Sequence, residues 1–136
     1  MRRLLILFLF CPLVVRALPP EQEKFWRELQ ALCGKAFAGK IAESTSATDA
    51  AFAGQTLVMH VRACRENEIK IPFHVGANRS RTWVLTRTEK GLRLKHDHRH
   101  EDGTEDKITQ YGGDTATAGS ATQQDFPADA FTFELI

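Results

Sequence analysis

From Gln55 to Leu94 the apolar side chains fall on every second position, and this feature narrows the fold more than any other. "QTLVMHVRA" sets Leu57, Met59 and Val61 against Val58, His60 and Arg62. "EIKIPFHVG" sets Ile69, Ile71, Phe73 and Val75 against Lys70, Pro72 and His74, and "SRTWVLTRT" sets Trp83 and Leu85 against Thr82, Val84 and Thr86. A period of two belongs to strands, whose successive side chains point to opposite faces; a helix would repeat every three or four. Alternating segments about ten residues apart, each closed by turn residues such as Glu89-Lys90-Gly91, describe an antiparallel meander. Pro72 cannot donate to a ladder, so its strand is expected at an edge or at a bulge.

Ahead of the meander, Pro19-Pro20 followed by Glu21 and Glu23 marks a helix start, with acids against the positive end of the dipole. Phe25, Leu29, Leu32, Cys33 and Ala36 recur at helical spacing, with Trp26 beside them, which predicts an amphipathic helix over about 20–37. "AESTSATDA" reads as a linker, and strands are expected from about residue 51. After Tyr111 a glycine- and threonine-rich stretch reads as a long loop with a short strand near 115–117. "AFTFELI" alternates Phe131, Phe133 and Leu135 and reads as a last strand. The expected fold is mainly β: a single domain over 18–136, an antiparallel meander forming a lipocalin-like β-barrel, closed or left incomplete, with the N-terminal helix covering one end.

Residues 1–17, "MRRLLILFLFCPLVVRA", have a basic start, an apolar run too short for the roughly 30 Å hydrocarbon core, and small or modest residues at the end. This is the pattern of a secretory signal peptide. Removing it takes away Arg2, Arg3 and Arg16 and moves the balance from 18 basic and 17 acidic residues to 15 and 17, a net of −2. Nucleic acid is thereby disfavoured as a partner, and no second apolar stretch is long enough to cross a membrane. In an oxidising compartment, secreted or periplasmic, the two remaining cysteines, Cys33 and Cys64, are expected to form a disulfide. Nucleophilic catalysis finds little support, since both cysteines are expected to be bridged and no serine sits in a G-x-S-x-G elbow.

The stretch "LKHDHRHEDG", residues 94–103, holds three of the five histidines on alternate positions. In an extended strand His96, His98 and His100 continue the face of Leu92 and Leu94, while Asp97 and Arg99 face the other way. Asp102-Gly103 reads as a two-residue hairpin turn. Taken so, it pairs His100 with Glu105, Arg99 with Asp106, His98 with Lys107, His96 with Thr109 and Leu94 with Tyr111. The wall then passes from an apolar core to a polar rim, and His96, His98, Thr109, Tyr111 and Trp83 become candidate ligand-binding residues. A second reading gives His98, His100 and Glu105 to a divalent metal such as zinc, two histidines and one carboxylate. Lys107, opposite His98, argues against a cation there.

The stretch from "IPFHVGANRSRTWVLTRTEKG" to "YGGDT", with "DFPAD" and "LCGKAFAGK", is similar to a group of small secreted bacterial proteins of unknown function. Those proteins are somewhat longer, which implies further strands, and an incomplete barrel here would leave room for a homo-oligomer. The pattern also resembles lipocalin-like (calycin-type) barrels, which admit a ligand at the end opposite the helix. Three functions are therefore carried forward: a protein binding an unknown small molecule, with no cofactor; a metal-binding protein; and a structural or interaction module.

Overall fold

The computed structural model describes residues 17–42 and 50–136. The expected signal peptide falls outside the described residues except for Ala17, as does most of the expected linker.

Helix α1 (Pro20–Gln30) begins with proline in its first turn, Glu21 and Glu23 near its N-terminus and Arg27 in its last turn. Charges so placed oppose the helix dipole. The buried stripe is centred one residue away from the expected one. Trp26 is wholly buried and Gln22 nearly so, while Phe25 and Leu29 pack at the margin. Gln22 is accommodated because its Nε2 donates to Thr115 Oγ1 (3.0 Å) and to the Thr117 carbonyl (2.9 Å). The helix stops at Gln30, short of the expected 37. Gly34, at φ 83°, turns the chain, and residues 36–39 become a strand.

Seven strands follow: β1 (Ala36–Gly39), β2 (Leu57–His60), β3 (Ala63–Cys64), β4 (Glu68–Val75), β5 (Asn78–Thr88), β6 (Gly91–His98) and β7 (Tyr111–Asp114). They form one antiparallel sheet in the order β1-β2-β4-β5-β6-β7, with β3 also on β4. The barrel expectation is met in its coarser part. The sheet is a mainly antiparallel meander, but among the described residues it stays open, with β1 and β7 as its edges.

β2 and β3 are one strand interrupted at Val61-Arg62, and the interruption has two effects. Leu57, Met59 and β4's Phe73 and Val75 share a register that slips by one residue before Ala63↔Lys70 and Cys64↔Ile69. A one-residue slip exchanges faces, so even-numbered Cys64 lands on the face of Ile69. There it meets Cys33 in the expected disulfide, with a Cα–Cα distance of 6.2 Å. The break also lies beside Pro72, which is buried in an interior strand rather than at an edge. β2 pairs with β4 as far as Phe73, and β3 resumes at Lys70, so the irregular pairing falls where proline has no N–H to offer.

On the inner face Leu18, Trp26, Val61, Ile69, Ile71, Leu85 and Leu92 form the core, with Leu94, Trp83 and Phe126 against it. The last segment is helix α2 (Ala130–Leu135), not a strand. Asp129 caps it, its carboxylate accepting from the Thr132 backbone N–H and hydroxyl at 2.9 and 2.8 Å. Phe131 and Phe133, whose alternation resembled a strand, are exposed. No strand forms at 115–117; β7 ends at Asp114.

Candidate functional site

The alternation that builds β4, β5 and β6 carries the inner face past the core. Along β6 the side chains pass from Leu92, wholly buried, through Leu94 to His96 and His98. Along β5 they pass from Leu85 to Trp83 and Arg81. Cross-strand register brings these ends together: Arg81 opposes Phe73 and His98, Trp83 opposes Ile71 and His96, and His96 opposes Tyr111.

The result is a row of rings crossing four strands. Phe73 and Trp83 are stacked, with centroids 5.2 Å apart and planes 8° apart. Trp83 meets His96 edge-on at 5.9 Å, and His96 stacks on Tyr111 at 4.5 Å. His98 stands edge-on to Tyr111 at 5.4 Å, and Phe52 extends the row beyond Phe73 at 6.4 Å. Apart from the tilted Phe52–Phe73 pair, these are the stacked and T-shaped arrangements that ring quadrupoles favour. Each ring in the row keeps part of its surface exposed, unlike the core residues beneath α1.

Polar groups are set into this row at one end. Tyr111 Oη and His98 Nε2 share a hydrogen bond of 3.2 Å. Burial holds the His96 imidazole down to a pKa of about 4, with the neighbouring His98 adding to the effect, so the ring is neutral near pH 7. Burial also lowers His98, followed by the positive charge of Arg81, while Asp106 and Asp97 pull the other way. The Tyr111 phenol is raised by burial, against the opposing pull of Arg81. Near neutral pH these groups offer neutral hydrogen bonding and stacking, with Arg81 as the adjacent cation.

Four of the five ligand-binding candidates, Trp83, His96, His98 and Tyr111, are thus brought together. The fifth, Thr109, is buried next to them and serves the backbone, its Oγ1 accepting the His98 N–H at 2.8 Å. The register that unites them differs from the expected one. Arg99 faces Glu105, not Asp106, and Tyr111 faces His96, not Leu94. Five residues separate Glu105 from Tyr111 where two separate His96 from Arg99. The return arm absorbs the excess in an irregular stretch with Gln110 at φ 59°. The shift at Tyr111 is even and keeps its face; the shift at Glu105 is odd and reverses it.

The candidate metal set is therefore not assembled. Glu105 joins Arg99 (3.1 Å) on the outer face, where Arg99 also holds Asp97 (3.1 Å). His100 is exposed near the hairpin tip. Among the described residues no three His, Cys, Asp or Glu side chains converge as metal ligands would.

Phe73, Arg81 and Phe52 were not among the candidates. Phe73 and Arg81 share the parity of their strand's inner face and could have been found by carrying the count outward from Ile71 and Trp83. Phe52 lies outside the strands and gave no periodic signal. No family model, curated protein or solved structure matches the chain.

Proposed function

We propose that this protein binds a small, largely apolar and flat molecule against the ring row of Phe73, Trp83, His96 and Tyr111. The observation that carries the proposal is the continuity of that row on a partly exposed stretch of an otherwise core-forming face. Binding sites are commonly apolar and aromatic with a few placed polar groups, and Tyr111 with His98 supplies such a pair here. The open sheet then acts as a wall of lipocalin-like character, with α1 and its core as the floor. The disulfide supports a working place in an oxidising compartment, secreted or periplasmic. Among the described residues no helix is long and apolar enough to cross a membrane.

The test is a titration of the purified protein with a neutral aromatic probe, N-phenyl-1-naphthylamine, followed by probe emission and by tryptophan quenching. Saturable binding near one site per chain is expected, with loss of affinity in Trp83→Ala and His96→Ala variants that still unfold cooperatively. If the unsubstituted protein binds neither this probe nor any member of a thermal-shift panel of aromatic compounds, the proposal is wrong.

A further inference from the structure

The chemical class of the ligand can be taken one step further, on the basis of the site proposed above. Arg81 stands on the inner face between Phe73 and His98, next to Trp83 on its own strand. Its guanidinium differs from those of Arg87, Arg93 and Arg99, each of which holds a carboxylate. Among the described residues Arg81 has no ion-pair or hydrogen-bonding partner, and its Nη1 is buried with none. Its Cζ lies 5.5 Å over the ring of Phe52, an attractive contact that leaves the N–H groups free.

A buried guanidinium N–H without an acceptor is costly, because water is lost and nothing replaces it. The nearby acids do not meet the need. Asp97 belongs to the opposite face and is taken by Arg99 and by Gln110 Nε2. Asp106 accepts from the Ile108 backbone N–H at 2.9 Å. The two imidazoles beside Arg81 favour their neutral forms, so Arg81 is the cation of this end of the row.

We infer that the ligand is a small aromatic anion, a carboxylate or sulfonate. Its charged group lies on the Arg81 guanidinium and its ring lies along Trp83 and His96. A planar guanidinium matches a carboxylate or sulfonate through paired N–H donors. The Tyr111 hydroxyl, within the same end of the row, can donate to the same group when His98 Nε2 supplies the proton of the bond they share. Nothing is transferred or broken; the site recognises and holds.

The experiment pairs two probes of similar ring system: 1-anilinonaphthalene-8-sulfonate, which carries the anion, and N-phenyl-1-naphthylamine, which does not. Each is titrated into the purified protein and into Arg81→Met and Arg81→Lys, with unfolding transitions measured to confirm folding. Arg81→Met should weaken the sulfonate about tenfold or more, equivalent to about 1.4 kcal/mol, and change the neutral probe less than twofold. Arg81→Lys should keep most of the preference for the anion. Equal weakening of both probes by Arg81→Met, or no change in sulfonate binding, overturns the inference and leaves the ring row as a neutral site. Failure of both probes to bind the unsubstituted protein overturns the site itself.

Discussion

Replacing His96 by glutamine tests the electrostatics of the ring row through folding stability. Folded His96 titrates at about 4, against an ordinary value of 6.5. Between those pH values the unfolded chain holds a proton on this ring that the folded chain does not. Stability therefore rises with pH across the window: it is fully present above about 6.5 and lost as the pH falls toward 4. At about 1.36 kcal/mol per tenfold change in proton affinity, the ceiling is roughly 3.4 kcal/mol. Part of the ring is in water, and solvent screening should reduce this to about 2 kcal/mol. For a domain of this size that corresponds to a midpoint about 6–8 °C lower at pH 4 than at pH 7. Thermal unfolding followed by near-ultraviolet circular dichroism at pH 4, 5, 6 and 7 measures it. His96→Gln should remove most of the decline; a smaller slope should persist because His98 and His74 are also lowered by burial. An unchanged slope in the variant, or an NMR titration placing His96 near 6.5, would refute the account of this site as desolvated.

Removing the disulfide by Cys33→Ser with Cys64→Ser releases a loop of sequence separation 31, for which the chain-entropy relation gives about 3.7 kcal/mol. Calorimetry should show the midpoint falling by roughly 15 °C, and a fall under about 4 °C would refute the constraint. Trp26→Ala empties the largest fully buried side-chain site among the described residues and should cost about 3–5 kcal/mol in urea unfolding. Gly113→Ala would drive its methyl group into the Pro127 carbonyl; a loss of about 1–3 kcal/mol is expected, with faster proteolysis of residues 126–136. Asp129 is held at about 2, first by Lys95 and then by the Thr132 donors. Its contribution is complete above about pH 4 and fades as the pH falls toward 2, and Asp129→Asn should flatten that part of the acid unfolding curve.

What could be read in advance was local, and what could not depended on distant partners. The faces of β4, β5 and β6 follow from alternation alone, so Trp83, His96 and His98 were legible as neighbours on one wall. β1 was not legible. Its residues, Ala36, Phe37, Ala38 and Gly39, have little strand character, and they are extended because β2 is there to pair with them. α2 was misread because Phe131 and Phe133 alternate, whereas Asp129 and Thr132, three apart, are the cap that starts the helix. The hairpin register failed for a further reason. Asp102-Gly103 is indeed at the tip, but Asp102 accepts from the Thr104 N–H and hydroxyl and closes a longer loop. That difference moved Glu105 to the outer face and dissolved the metal set, while the even shift at Tyr111 preserved the ring row.

The treatment of the two sheet edges bears on self-association. At β7 the outward N–H of Gly112 donates to Thr132 Oγ1 (2.8 Å), and its carbonyl accepts from the Asp129 N–H (2.9 Å), with the Thr132 hydroxyl oxygen 2.8 Å away. α2 thus occupies positions that an incoming strand would need, and that side is guarded against templated aggregation. β1 has all four residues exposed, Phe37 among them, and among the described residues it pairs on one side only. Among the described residues Ala36–Gly39 is therefore an edge left open to an added strand, and a charged residue in place of Phe37 should suppress strand addition there.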